Sequence, residues 1–244
     1  MKNRTKAVKL GSIDFRLEAV QNTADQQATD IYLYGDVGDG WWGETIRADR
    51  VKELLQETAN NTINIHIQSY GGDVFEGITI YNLLRNSKKT INVYVDGIAA
   101  SSASIIALAG DKLIMPKNTQ FMIHNPWTYT WGNANEMEKV VAQLRTCENS
   151  IIATYMEKFV GTEEELRQLL DAETFMTAEE AVAFGFADEL LEEPEGKAEP
   201  ALSVSARLMN KYGNEPKPQN RQESPKDERP NPLQNFINIF KEEN

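Results

Sequence analysis

The segment from Asp96 to Pro126 holds a serine cluster, Ser101, Ser102 and Ser104, and a histidine, His124. A serine hydroxyl paired with an imidazole can carry out acyl transfer, because a base that titrates near neutrality can take the hydroxyl proton as the oxygen attacks a carbonyl. The chain has only two histidines, so the choice of base is narrow. His124 closes the apolar segment Thr119 to His124, and the Asn125-Pro126 that follows forces the chain out of regular structure. It therefore falls at a strand end, where sites are built. His66 lies inside the run Ile63 to Gln68 and shares parity with Asn64 and Gln68, which predicts a strand side chain without chemistry.

The elements that must position these groups are short. The β-branched run Thr90 to Val95 predicts a buried strand, with Asp96-Gly97 as the turn that ends it. A helix from Ser102 to Ala109, stopped by Gly110, should follow. A serine at such a strand-to-helix junction has its hydroxyl lifted clear of the sheet, beside N–H groups with no helical partner. Gly97, Ala99, Ala100 and Ala103 would leave room for a substrate backbone, although small residues also suit close helix packing. Upstream, Ser69-Tyr-Gly-Gly-Asp73 predicts a turn whose Asp73 caps a helix from Val74 to Arg85. Free N–H groups at such a start favour an anion.

Around these segments the pattern alternates strand and helix. Asp30 to Tyr34 predicts a strand ended by Gly35, followed by a glycine-rich loop whose Trp41-Trp42 pair either packs it down or offers a peptide-facing surface. An amphipathic helix over Glu44 to Ala59 places Ala48, Val51, Leu54 and Leu55 on one face. Strands follow at Thr62 to Gln68, Lys112 to Met115 and Thr119 to His124. This order implies a parallel sheet with crossover helices, its functional loops at the carboxyl ends of the strands, where Gly72, Ser101 and His124 all fall. A second aromatic loop, Trp127-Thr-Tyr-Thr-Trp131, precedes a long helix over Asn133 to Phe159. That helix carries an apolar stripe (Met137, Val140, Val141, Leu144, Ile151, Ile152, Tyr155, Phe159) longer than one small domain needs. Capping-box pairs Thr162 with Glu165 and Thr177 with Glu180 start two short helices, Gly185 ends the second, and Phe186 to Leu191 predicts a last strand.

Three motifs in this order and spacing, Ser69-Tyr-Gly71-Gly72, Gly97-Ile-Ala-Ala-Ser101 with Gly110 close behind, and Met122-Ile-His124-Asn-Pro126, resemble the proteolytic subunit of the Clp protease. Within that family they resemble the phage and prophage branch, the head-maturation-like proteases. The resemblance covers about Thr29 to Leu190. It implies an α/β, crotonase-like fold with a parallel sheet, crossover helices and a long handle helix at Asn133 to Phe159. It also implies rings of seven, singly or stacked, that enclose the serines. The family's nucleophile then falls on Ser101, its general base on His124, and its oxyanion-hole N–H groups on Gly72 and Ser102. The third triad member precedes an aromatic-Met/Leu-Ser/Thr-Ala segment, which here is Phe175-Met-Thr177-Ala178 and selects Glu173. The better-known cellular members carry Asp there, and Asp171, two residues earlier, is the alternative acid.

The implied activity is that of a serine endopeptidase working in an oligomeric chamber, on phage or prophage capsid-assembly proteins or in Clp-type degradation, without metal or cofactor. Its expected partners are protein or peptide substrates, further copies of the chain, and a Clp ATPase or capsid proteins. Two other functions share parts of the pattern: a crotonase-type acyl-CoA hydratase or isomerase, which needs no serine nucleophile, and a non-enzymatic capsid-assembly scaffold.

Composition sets the remaining bounds. A length of 244 residues with 41% hydrophobic content suits one domain plus a tail. A net charge of −12 argues against nucleic acid and anionic membrane as partners. The single cysteine, Cys147, excludes an intramolecular disulfide, suits a reducing compartment and predicts a buried small hydrophobe. The amino terminus has charge but no apolar segment after it, and no apolar stretch is long enough to span a bilayer, so a cytoplasmic protein is expected. The organisation expected is an arm over residues 1–28 with weak alternation, a peptidase domain over 29–191, and a disordered acidic, proline-rich tail over 192–244. In the tail, Leu233, Phe236, Ile237 and Phe240 have the spacing of a short partner-binding helix.

Overall fold

Among the described residues eight strands form one sheet, with the order β1-β2-β3-β4-β5-β8 along its main path, β6 branching from β4 and β7 pairing with β6. The computed structural model describes residues 12–38 and 44–191, so Trp41-Trp42, the first part of the arm and the tail with its terminal segment lie outside the described residues. The strands are β1 (Arg16–Gln21), β2 (Ala28–Val37), β3 (Thr62–Gly72), β4 (Thr90–Ala100), β5 (Lys112–Pro116), β6 (Gln120–Ile123), β7 (Thr174–Thr177) and β8 (Glu189–Leu191). The helices are α1 (Ala48–Glu57), α2 (Val74–Arg85), α3 (Ser102–Ala107), α4 (Ala134–Tyr155), α5 (Glu163–Asp171) and α6 (Ala178–Ala183). β2, β3, β4, β5 and β8 are parallel, while β1 is antiparallel to β2 and β7 to β6.

The period of two decides which face is covered. Ile31, Leu33, Ile63, Ile65, Ile67, Ile91, Val93 and Val95 alternate along β2, β3 and β4 and are all buried. Val51 and Leu54 of α1 and Ile80 and Leu84 of α2 are buried with them, and burial of each such side chain stabilises the fold by about 1.5–3 kcal/mol. Residues of opposite parity include His66, which stacks between Tyr32 and Tyr94 at ring-centroid distances of 4.8 and 5.1 Å and reaches Asp96 through Nδ1 at 3.0 Å. As expected, it is a strand side chain.

Asp96-Gly97 does not end β4. The strand runs on to Ala100, and the pair forms a bulge against β3, where the register passes from Ile67↔Val95 to Ser69↔Ala99. Continuation is possible because β4 exchanges neighbours: β5 pairs with Asn92 to Tyr94, and β6 takes over beside Ile98 to Ala100. β2 likewise passes through Gly35 in a bulge instead of ending there, and β3 extends to Gly72. Ala99, Ala100 and Ala103 are buried in packing, the close-packing role that small residues also suit.

Local signals hold where they were strongest. Asp73 caps α2 by accepting from the Glu76 N–H, and α2 has the predicted bounds. Both predicted capping boxes form, and a third, Asn133 with Glu136, starts α4. The α4 stripe divides in two. Ile151, Ile152 and Tyr155, with Cys147, are buried, whereas Met137 is 44% and Val141 57% exposed. Tyr155 OH and Ser104 Oγ, 2.7 Å apart, tie the buried half of α4 to α3.

Candidate active site

β4 and β6 end side by side, and their pairing places the serine against the histidine. Ala100 lies opposite Met122, and the Ser101 N–H donates to the Met122 carbonyl at 2.9 Å. Ser101 has φ 56° and ψ −127°, a backbone conformation that costs a non-glycine residue about 1–3 kcal/mol and that here turns the chain sharply from strand into α3. From that corner the hydroxyl meets the imidazole: Ser101 Oγ and His124 Nε2 are 2.7 Å apart. Of the other two serines, Ser104 is hydrogen-bonded elsewhere, while Ser102 Oγ is buried without a hydrogen-bond partner. Ser102 is buried beneath Gly77 of α2, and Ser104 Oγ donates to the Ser101 carbonyl and pairs with Tyr155.

The acids come from the end of α5 and the turn that follows it into β7. Ile123 of β6 pairs with Thr174 of β7, which brings Glu173 beside His124. Glu173 is solvent-exposed, has φ 52°, and acts on the ring through its charge. Burial holds the His124 pKa below the ordinary imidazole value, and the Glu173 carboxylate pulls it part of the way back. Asp171, the alternative acid, accepts a hydrogen bond from Asn125 Nδ2 at 2.5 Å instead of meeting His124.

The glycine pair closes the other side. A Cβ on Gly71 (φ 88°) would lie 2.6 Å from the Ala100 carbonyl oxygen, 2.7 Å from Ser101 Cβ and 2.9 Å from the Ser102 nitrogen. Gly72, the last residue of β3, pairs with Val37, whose carbonyl oxygen a Cβ would approach to 2.1 Å. The Ser102 N–H stands at the first position of α3, where no intrahelical acceptor exists. A strained serine against a half-buried imidazole whose pKa is held down by desolvation, beside a glycine-lined strand end, is suited to nucleophilic attack on a carbonyl.

Comparison with protein families matches residues 23–194 to Clp protease, well over half of the chain. The chain belongs to the Clp protease family. Among solved structures it is similar to a point mutant of ClpP1 from Listeria monocytogenes, with a TM-score of 0.57 and 27% sequence identity over 67% of this chain and 91% of that one. The mixed α/β fold expected of a Clp protease is therefore the one observed, and the chain is a serine peptidase of the Clp type. No helix among the described residues is long and apolar enough to cross a membrane.

Three parts of this Clp protease site leave weaker marks in its sequence. β7 follows a short helix with no turn signal between them, and Thr174-Phe-Met-Thr177 does not alternate polar and apolar types, although the fold buries Thr174 and Met176 and exposes Phe175 and Thr177. Gly71 reads with Gly72 as part of one turn, and the doubled glycine is the available hint that two backbones approach there. The Asn125–Asp171 contact, between residues 46 positions apart, leaves no mark in local pattern.

Proposed function

We propose that this Clp-type peptidase cleaves proteins by acyl transfer through Ser101, His124 and Glu173. The observation that carries the reading is the 2.7 Å contact between Ser101 Oγ and His124 Nε2 at a residue held in a strained backbone conformation. His124 takes the hydroxyl proton as Ser101 Oγ bonds to the scissile carbonyl carbon, and the imidazolium then protonates the departing amine. Water, deprotonated by the same ring, hydrolyses the acyl-enzyme and frees Ser101. The Gly72 and Ser102 N–H groups receive the oxyanion. Glu173 stabilises the imidazolium by its charge, and Asp171 is assigned no part as an acid because its carboxylate is taken by Asn125. A fluorophosphonate probe tests the reading: the adduct should map to Ser101 and vanish in Ser101→Ala. Labelling elsewhere, or none, would return the crotonase-type or scaffold alternatives.

The pH profile tests Glu173. Because kcat/KM requires neutral His124, it should fall with decreasing pH through a midpoint below 6.5, the ordinary imidazole value. Glu173→Gln removes the charge that raises the ring pKa, so the acid limb should move to lower pH while kcat falls by less than in His124→Ala. An acid limb that stays in place or moves up would show that Glu173 does not act on the ring.

The exposed half of α4, with Met137 and Val141, is the face we assign to ring assembly, which would enclose the serines and restrict access to unfolded chains. Val141→Asp should dissociate the assembly in native mass spectrometry with activity falling in parallel, and a fully active wild-type monomer at micromolar concentration would overturn this. Ile152 is buried within the chain itself, so its substitution would report on folding instead. The resemblance to the head-maturation branch extends the proposal to capsid-assembly proteins as substrates, to be compared with casein in a cleavage assay. Preferential cleavage of casein would refute that narrower assignment.

A further inference from the structure

A side-chain pair links the turn that carries the acid to the strand end that carries the base. Asn125 directly follows His124, and its Nδ2 donates to Asp171 Oδ1 at 2.5 Å. Ile123 and Thr174 are the last paired residues of β6 and β7, so His124 and Glu173 are the first residues beyond the ladder on either side. The Asn125–Asp171 bond lies just past them and closes the gap. Inside the turn, Ala172 N donates to the Gln168 carbonyl, Glu173 N to the Leu170 carbonyl and Thr174 Oγ1 to the Leu169 carbonyl, so Asp171 and Glu173 move as one piece.

The amide orientation of Asn125 supports a specific contact. Its Oδ1 is buried without a hydrogen-bond partner, an unfavourable state for an acceptor. Reversing the amide would set that oxygen against the Asp171 carboxylate, which is worse. The carboxylate therefore dictates how the amide stands.

We propose that Asn125 and Asp171 are positioning residues of the peptidase site, their hydrogen bond holding the α5–β7 turn, and with it Glu173, against the strand end that carries His124. The inference rests on the assignment of Ser101 and His124 made above. It also separates two roles for Asp171: a triad acid must be charged, whereas a positioning acceptor needs only an oxygen in the right place.

The test measures the rate at which a fluorophosphonate labels Ser101 in the full chain, with thermal unfolding of each variant measured in parallel. Asn125→Asp sets two carboxylates against each other and should slow labelling roughly tenfold or more. Asp171→Asn keeps an oxygen acceptor and should hold labelling within about threefold of wild type, whereas Asp171→Ala should fall with Asn125→Asp. The double variant Asn125→Asp with Asp171→Asn reverses donor and acceptor and should recover to within about threefold of wild type. If Asn125→Asp does not fold, Asn125→Ala, Asp171→Ala and their combination replace it, and the combination should be no slower than the slower single variant. Three outcomes would overturn the proposal: no recovery in the reversed pair, equal losses in Asp171→Asn and Asp171→Ala, or wild-type rates throughout. Wild-type protein that takes no label at Ser101 would remove the nucleophile assignment as well, whereas labelled wild type with unaffected variants removes the positioning pair alone.

Discussion

Ser101→Ala and His124→Ala should each lower kcat by about 10³-fold or more, and the double variant should be hardly worse than either. In the proposed mechanism the 2.7 Å contact between Oγ and Nε2 makes the two groups one device. Without the ring, the hydroxyl has no acceptor for its proton at the moment of attack; without the hydroxyl, the ring has no nucleophile to activate. What survives in either variant is the contribution of binding and of the oxyanion donors, which is the same in the double variant. Steady-state kinetics on the two single variants and the double decide the matter. Losses that multiply to about 10⁶-fold would mean that the residues act independently, and the acyl-transfer reading would fail.

The second large effect is expected away from the reacting atoms. Gly71→Ala must place a methyl group at φ 88° and within 2.6–2.9 Å of the Ala100 carbonyl oxygen, Ser101 Cβ and the Ser102 nitrogen. None of these can retreat cheaply, since two are backbone atoms and the third sits on the strained corner itself. The backbone conformation alone costs about 1–3 kcal/mol, and overpacking adds a similar amount. Displacing Ser101 by even about 1 Å from His124 should cost about 10²-fold in kcat/KM. Gly97→Ala is the control. It lies in the neighbouring strand, but its nearest non-neighbouring atom is in the Gln68 side chain at 3.4 Å, so activity within about threefold of wild type is expected. Comparable losses in both variants would mean that any added methyl group disturbs this part of the sheet, and that Gly71 has no special place at the site.

Much of the site is legible in the residues alone, because its signals are local. Asp73, Thr162 and Thr177 announce helix starts through bonds that span three residues, and α2 begins and ends where those rules place it. The buried rows of β2, β3 and β4 follow from a period of two, and the position of His124 follows from the proline two residues later. Ser101 is singled out from Ser102 and Ser104 only by family resemblance, since nothing in the residues themselves distinguishes three hydroxyls so close together. In the fold Ser102 is buried and Ser104 contacts Tyr155, whereas Ser101 Oγ lies 2.7 Å from His124 Nε2.

Long-range pairing decided the rest. Asp96-Gly97 has the composition of a turn, yet it becomes a bulge because β6 is available to continue the ladder beyond β5, and only the folded sheet brings β6 there. The α4 stripe is continuous in sequence but half covered in space, since which turns of a helix meet α3 depends on where the sheet has put α3. Two carboxylates two residues apart are equivalent in local pattern. Asp171 went to Asn125 and Glu173 to the neighbourhood of His124 because Ile123 pairs with Thr174. A chain can specify its helix starts and its strand faces through contacts between residues a few positions apart. Which carboxylate stands beside the imidazole is a matter of register between β6 and β7, strands far apart along the chain, and only their pairing in the folded sheet sets it.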